Sequence, residues 1–212
     1  MSTPSAIDPD TLLFILRERP GANKEDESLA LVDAFEVPLP GGGAAPLAPA
    51  WFDLIGDLQL RLVRETPETT FTLLAGELHD LKLAAGEALD VALANLHRRH
   101  GEATVQPWHN LQRVAGRPGI FDSVYFADRG FWRARLAEHP GGVVVAAPRV
   151  DALLFAPASD IAAVDSMRQG IPRLQAEAGD YRLSSALYLF KEDRWSVLQP
   201  AVPAPAAAAA AD

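Results

Sequence analysis

Two short apolar runs, residues 143–147 and 152–156, flank Pro148, Arg149, Val150 and Asp151. They constrain the fold more than any other feature. A run that is apolar at every position must be buried on both faces, so each is expected to be a central strand of a sheet. The residues between them leave room only for a tight connection. The rest of the chain must supply what covers this hairpin.

Other periodic segments supply it. Residues 58–64 alternate Leu58, Leu60 and Leu62 with Gln59 and Arg61, the period of a half-buried strand. Residues 69–74, rich in Thr and Phe, are expected to pair with it across the turn at 65–68. Residues 12–17 read as a further strand. The helix is clearest over residues 84–100. Ala85, Leu89, Ala92, Leu93 and Leu96 share one face at 100° per residue, and Gly101 stops it. This helix is expected to shelter the apolar hairpin. Strands are expected at 103–108 and 111–115, and a helix capped by Asp128 runs to Glu138. Asp160 caps another, with Ile161, Val164, Met167, Ile171 and Leu174 on one side, and Pro172 should kink or interrupt it. Residues 186–190 and 194–198 form a hairpin about Glu192 and Asp193. Helices alternate with strands, but neighbouring strands are joined by hairpins. The fold class is therefore α+β: a mixed, mainly antiparallel sheet packed against three or more helices.

Three boundaries follow. Residues 1–49 read as a variable N-terminal segment that is polar at 20–28. It ends in a linker at 38–49, which carries Gly41, Gly42, Gly43 and several prolines. Residues 50–199 form the α+β domain, and residues 200–212 an Ala/Pro tail expected to be disordered.

Composition excludes several chemistries. The chain has no cysteine, which removes disulfides, thiolate nucleophiles and cysteine metal sites. A net charge of −9, from 28 acidic against 19 basic residues, argues against nucleic acid and anionic membranes as partners. No run approaches the roughly 20 apolar residues of a bilayer span. The first nine residues lack the pattern of a signal peptide, so a cytoplasmic location is expected. Alanine is abundant and lysine occurs only at 24, 82 and 191, a usage that fits a bacterial chain.

Four stretches in order carry a family resemblance. They are residues 60–67 (Leu-Arg-Leu-Val-Arg-Glu-Thr-Pro), residues 88–96 (Ala-Leu-Asp-Val-Ala-Leu-Ala-Asn-Leu), Phe121-Asp122-Ser123 with the helix after it, and residues 143–156. Across roughly residues 58–198 the chain resembles the bacterial YtpQ-like family of domains of unknown function. It departs at Pro157, where members often carry an acidic residue, and over its first 50 residues. The resemblance implies a fold and no activity.

The polar residues within these stretches are the site candidates. Asn95 lies at the edge of an apolar helix face, where an unpaired amide would cost on the order of 1–3 kcal/mol. It either bonds nearby backbone or meets a ligand. Asp122 and Ser123 precede a helix, where their oxygens suit capping. No G-x-S-x-G elbow makes Ser123 a nucleophile. Arg149 and Asp151 close the apolar hairpin, and Asp151 can satisfy its own turn. Alternatively Asn95, Asp122, Ser123, Arg149 and Asp151 converge as one ligand-binding pocket. His97 and His100 share a helix end and are the weak candidates for a metal, with no third ligand at a recognised spacing; no cofactor is expected. No phosphate-cradling loop is present. Core or core-edge packing suits the four tryptophans; Trp195, on the final hairpin, is the one placed for partner contact instead.

Two functions fit. One is a non-catalytic protein-interaction or regulatory module, binding a protein partner or a second copy of itself. The other is a small-ligand binder, or a hydrolase-type enzyme, using the pocket around Asn95.

Overall fold

The computed structural model describes residues 7–66, 69–116 and 122–202. The centre of the turn at 65–68, Phe121 and most of the expected tail lie outside the described residues. In chain order the first strands are β1 (Leu12–Glu18), β2 (Ala30–Leu31), β3 (Phe35–Pro38) and β4 (Ala44–Leu47). Then come β5 (Trp51–Ile55), β6 (Leu58–Glu65) and β7 (Thr70–Thr72), followed by helices α1 (Ala75–Asp80) and α2 (Ala85–His100). Strands β8 (Thr104–Trp108) and β9 (Leu111–Ala115) lead to α3 (Arg129–Glu138). The central hairpin is β10 (Val143–Arg149) and β11 (Ala152–Pro157). Helix α4 (Ile161–Ala176) and strands β12 (Leu187–Lys191) and β13 (Arg194–Gln199) close the fold.

The α+β class holds, and every strand pairing among the described residues is antiparallel. There are two main sheets where one was expected. The first has the order β1-β6-β5-β2, with β7 also on β6; the second is β13-β12-β10-β11-β9-β8. The apolar hairpin is thus central, as its composition demanded.

Alternation along this hairpin assigns its two faces. Val143, Val145, Ala147, Leu153 and Phe155 join the main core, together with Leu12, Phe14, Leu60 and Trp132. Val144, Ala146, Leu154 and Ala156 face Val164, Met167 and Ile171 of α4 in a second cluster. The helix lying directly on the hairpin is therefore α4, whereas α2 packs chiefly on β1. On α2 the fully buried stripe is Ala88, Ala92, Asn95 and Leu96, rotated from the expected face, so Leu89 and Leu93 are only partly covered.

Further expectations are corrected. Residues 1–49 do not stand apart, because β1 pairs with β6 from Leu12↔Arg64 to Glu18↔Leu58 and buries Leu12, Leu13, Phe14 and Leu16. The expected linker at 38–49 is largely a β3–β4 ribbon, turning at Gly41, Gly42 and Gly43, all at positive φ. Such a ribbon tolerates Pro38 and Pro46 because neither strand has a further neighbour among the described residues. Helix α4 runs on through Pro172, and Ile161, at its start, is exposed rather than buried. Gly56 turns β5 into β6 at φ +58, where a Cβ would lie 2.8 Å from the Tyr188 ring; only glycine fits.

Candidate functional site

The five candidates do not form a single open pocket. Asn95 is buried, and its Nδ2 donates to the carbonyls of Pro9 and Leu12, both at 2.9 Å. Its Oδ1 accepts from Arg98 Nη2 at 2.8 Å. The amide thereby fastens α2 to the start of β1. Asp122 is buried at the head of a 3-10 turn, Asp122–Ala127. It accepts from Arg113 Nη2 at 2.8 Å and from the Gly116 amide at 3.0 Å. Arg113 also donates to the Asp151 carbonyl, and the Ser123 amide donates to Val150. Arg149 grips Asp151 with Nε and Nη2 at 2.8 and 3.0 Å. Asp122, Ser123, Arg149 and Asp151 therefore gather where β9, the 3-10 turn and the β10–β11 turn meet, with the charges paired to each other. Asn95 shares none of their partners, and none of the five lines any of the larger clefts.

His97 and His100 part company. His97 Nε2 lies 2.9 Å from Asp128 Oδ2 and its Nδ1 lies 3.5 Å from Glu102, while His100 lies 3.8 Å from Glu65. Ligand atoms of His97, Glu102 and Asp128 all fall within 4.8 Å of one another, a group that could hold a cation. Asp128 is already committed there, since its Oδ1 caps α3 by accepting from Phe131. Trp195 is buried, in keeping with the core packing expected of the tryptophans, and stacks at 4.1 Å on Phe126.

A cleft of about 650 Å3 lies between the first sheet, α2, α3 and the β12–β13 turn. Phe14, Leu54 and Leu60 form its floor, Leu89 and Leu93 its α2 wall, and Trp195 its far side. The mouth is charged. Arg129 and Arg133 stand one turn apart on α3, so both point to the same side. Glu192 and Asp193 form the β12–β13 turn, both at positive φ, the conformation of a two-residue hairpin loop. There Asp193 meets Arg133 at 2.9 and 2.8 Å, and this bonding holds its carboxyl below the usual range. Arg129 donates to the Asp193 carbonyl at 2.5 Å and pairs with Glu27, whose other oxygen accepts from the Trp195 amide at 3.0 Å. Glu27 thus ties the polar segment 20–28 across the cleft. Lys24 anchors that segment by donating to the carbonyls of Ser28 and Asp53.

Sequence reasoning marked Leu89 and Leu93 as an apolar face and Asp193 as a turn, but did not join them. The i, i+4 spacing of Arg129 and Arg133 was the one local signal for the mouth.

A third polar centre is closed to solvent. Asp57 Oδ1 accepts from Ser184 Oγ and Tyr188 Oη, both at 2.6 Å, and all three residues are buried. Burial raises the carboxyl of Asp57 and the phenol of Tyr188 above their ordinary values. Among the described residues no helix is long and apolar enough to cross a membrane. No family model, curated protein or solved structure matches the chain.

Proposed function

We propose that this protein is a non-catalytic binding module holding a small, largely apolar organic molecule in the cleft between α2, α3 and the β12–β13 turn. The carrying observation is the mismatch on α2. Leu89 and Leu93 belong to the apolar face but are left partly uncovered, directly above buried Phe14 and Leu60. Uncovered apolar surface is unfavourable by about 25 cal/mol per Å2, which an apolar guest relieves. The volume lies within the roughly 300–1,000 Å3 usual for ligand pockets. The charged mouth is internally neutralised, which suits a guest with a polar but uncharged end. A non-catalytic role is supported by the burial of Ser123 and Ser184, whose hydroxyls no substrate reaches. The YtpQ-like kinship remains an expectation beside this proposal and assigns no chemistry.

The test is native mass spectrometry of the full chain from its own host, beside Leu93→Phe, which fills the cleft. A guest of a few hundred daltons is expected on the wild type and absent from the variant at equal thermal stability. Equal recovery from both, or from neither, overturns the proposal.

A second reading, a protein-interaction module, is favoured by Leu29, Leu31, Phe35 and Leu39. All are more than a third exposed along the segment beside the cleft. Leu31→Ser with Phe35→Ser would then abolish self-association or partner capture in sedimentation velocity and leave guest binding intact.

A further inference from the structure

Most arginines of this acidic chain lie against a carboxylate; among the described residues Arg17, Arg61, Arg64 and Arg194 have no ion pair, and of these Arg17 and Arg61 have cations disfavoured by burial. Their hydrogen bonds there are few. Arg17 Nη1 donates to the Leu16 carbonyl at 3.2 Å, and Arg61 donates through Nε and Nη2 to Gln59 Oε1 at 3.3 and 3.1 Å.

Strand register puts the two side chains on one face. Ile15, Arg61 and Trp51 lie opposite one another across β1, β6 and β5, and the next row is Arg17, Gln59 and Asp53. Diagonal neighbours of this kind sit about 7–8 Å apart at the backbone, within reach of long side chains. Burial, and then the like charge of Arg17, disfavour the Arg61 cation; burial disfavours that of Arg17. The nearest acid in the row is engaged elsewhere: Asp53 pairs with Arg19 through one oxygen and accepts from Gln59 Nε2 at 2.9 Å through the other. The Arg61 guanidinium lies 3.8 Å over the Trp51 ring, and the buried Trp51 indole N–H has no acceptor among the described residues. Alongside is a second cleft, of about 450 Å3, whose walls include Trp51, Phe35, Leu31 and Arg61.

Arg17 and Arg61 thus share one strand face with no carboxylate paired to either among the described residues, although Glu18, Asp33 and Asp53 also line the cleft. We propose that Arg17 and Arg61 bind a phosphate monoester whose organic group lies in the adjoining cleft against Trp51 and Phe35. A dianion matches two guanidinium charges. Three phosphate oxygens give both forks acceptors, where a carboxylate has only two oxygens and one charge. This site is separate from the cleft against α3, and either can fail alone.

The test uses the full chain with phenyl phosphate, inorganic phosphate and acetate at constant ionic strength, followed by calorimetry. One phenyl phosphate per chain is expected, bound more tightly than inorganic phosphate, with acetate weakest. Arg17→Gln and Arg61→Gln should each weaken phenyl phosphate at least tenfold while raising the melting temperature in phosphate-free buffer, because the repulsion is relieved. Arg17→Lys and Arg61→Lys keep the charge and spare the fold, yet should also lose affinity because an ammonium lacks the fork. Leu93→Phe should change nothing here. Phenyl phosphate binding that is absent at millimolar concentration, is matched by acetate, or survives all four arginine substitutions overturns the proposal.

Discussion

Asp57 lies in the β5–β6 connection, 1% exposed, and takes two short hydrogen bonds, from Tyr188 of β12 and from Ser184 just before that strand. It thus joins β5–β6 to β12, but as a buried carboxylate it is costly when ionised. Burial raises its pKa; the hydroxyls of Ser184 and Tyr188 oppose that rise without cancelling it. The folded state therefore binds this proton more tightly than the unfolded chain. The associated stability is whole below the ordinary carboxylate value of about 4. It is lost as pH climbs from there through the raised value. Asp57→Asn keeps an acceptor for both hydroxyls and removes the titration. The stability of wild type minus variant, from urea unfolding between pH 4 and 7, should fall as pH rises; a flat difference would contradict this. Asn95 illustrates the opposite case, a buried polar group satisfied by two backbone carbonyls and the Arg98 side chain. Its ambiguous position on the helical wheel could not reveal that, because both acceptors lie more than 80 residues away.

At the scale of elements, α4 shows how packing overrides a local signal. Pro172 removes one helical N–H and crowds the preceding turn, yet the helix continues to Ala176. Val164, Met167 and Ile171 hold it on the hairpin, and Pro172 itself faces solvent. The backbone penalty remains in the folded state, offset in part by the stiffness proline gives the unfolded chain. Pro172→Ala is expected to stabilise the protein by about 2 kcal/mol in urea unfolding; an unchanged or lower midpoint would show that the helix has absorbed the proline without cost. The caps behaved as local chemistry dictates. Asp128 and Asp160 each accept from the amide three residues on, at 3.0 Å, as the residues at these helix starts predicted.

For the whole molecule the decisive element is β1. Leu12, Leu13, Phe14 and Leu16 are almost fully buried. At about 1.5–3 kcal/mol per side chain they contribute roughly 6–12 kcal/mol before opposing terms, comparable with the total stability of a domain. A chain starting at residue 20 should therefore lose cooperative melting, followed by circular dichroism; a sharp transition near the wild-type temperature would restore the division at residue 49. That division rested on composition, and composition is blind to partners. A polar segment with Gly and Pro around it looks detachable whether or not a strand before it pairs with one some 50 residues later.

The sequence by itself determined most of the elements, though not β2 to β5 or α1, and the central place of the 143–156 hairpin, because hydrophobic period, caps and turn residues act over a few residues. It also determined which polar groups were candidates for buried roles. Only the tertiary structure decided that there are two main sheets, that α4 rather than α2 lies on the hairpin, and which polar groups meet. Only there did Leu89, Leu93, Arg129 and Asp193 surround one cleft, and Arg17 and Arg61 stand unpaired on one face. Those relations are set by strand register and helix rotation, which depend on how well distant surfaces fit. No window of neighbouring residues contains that information.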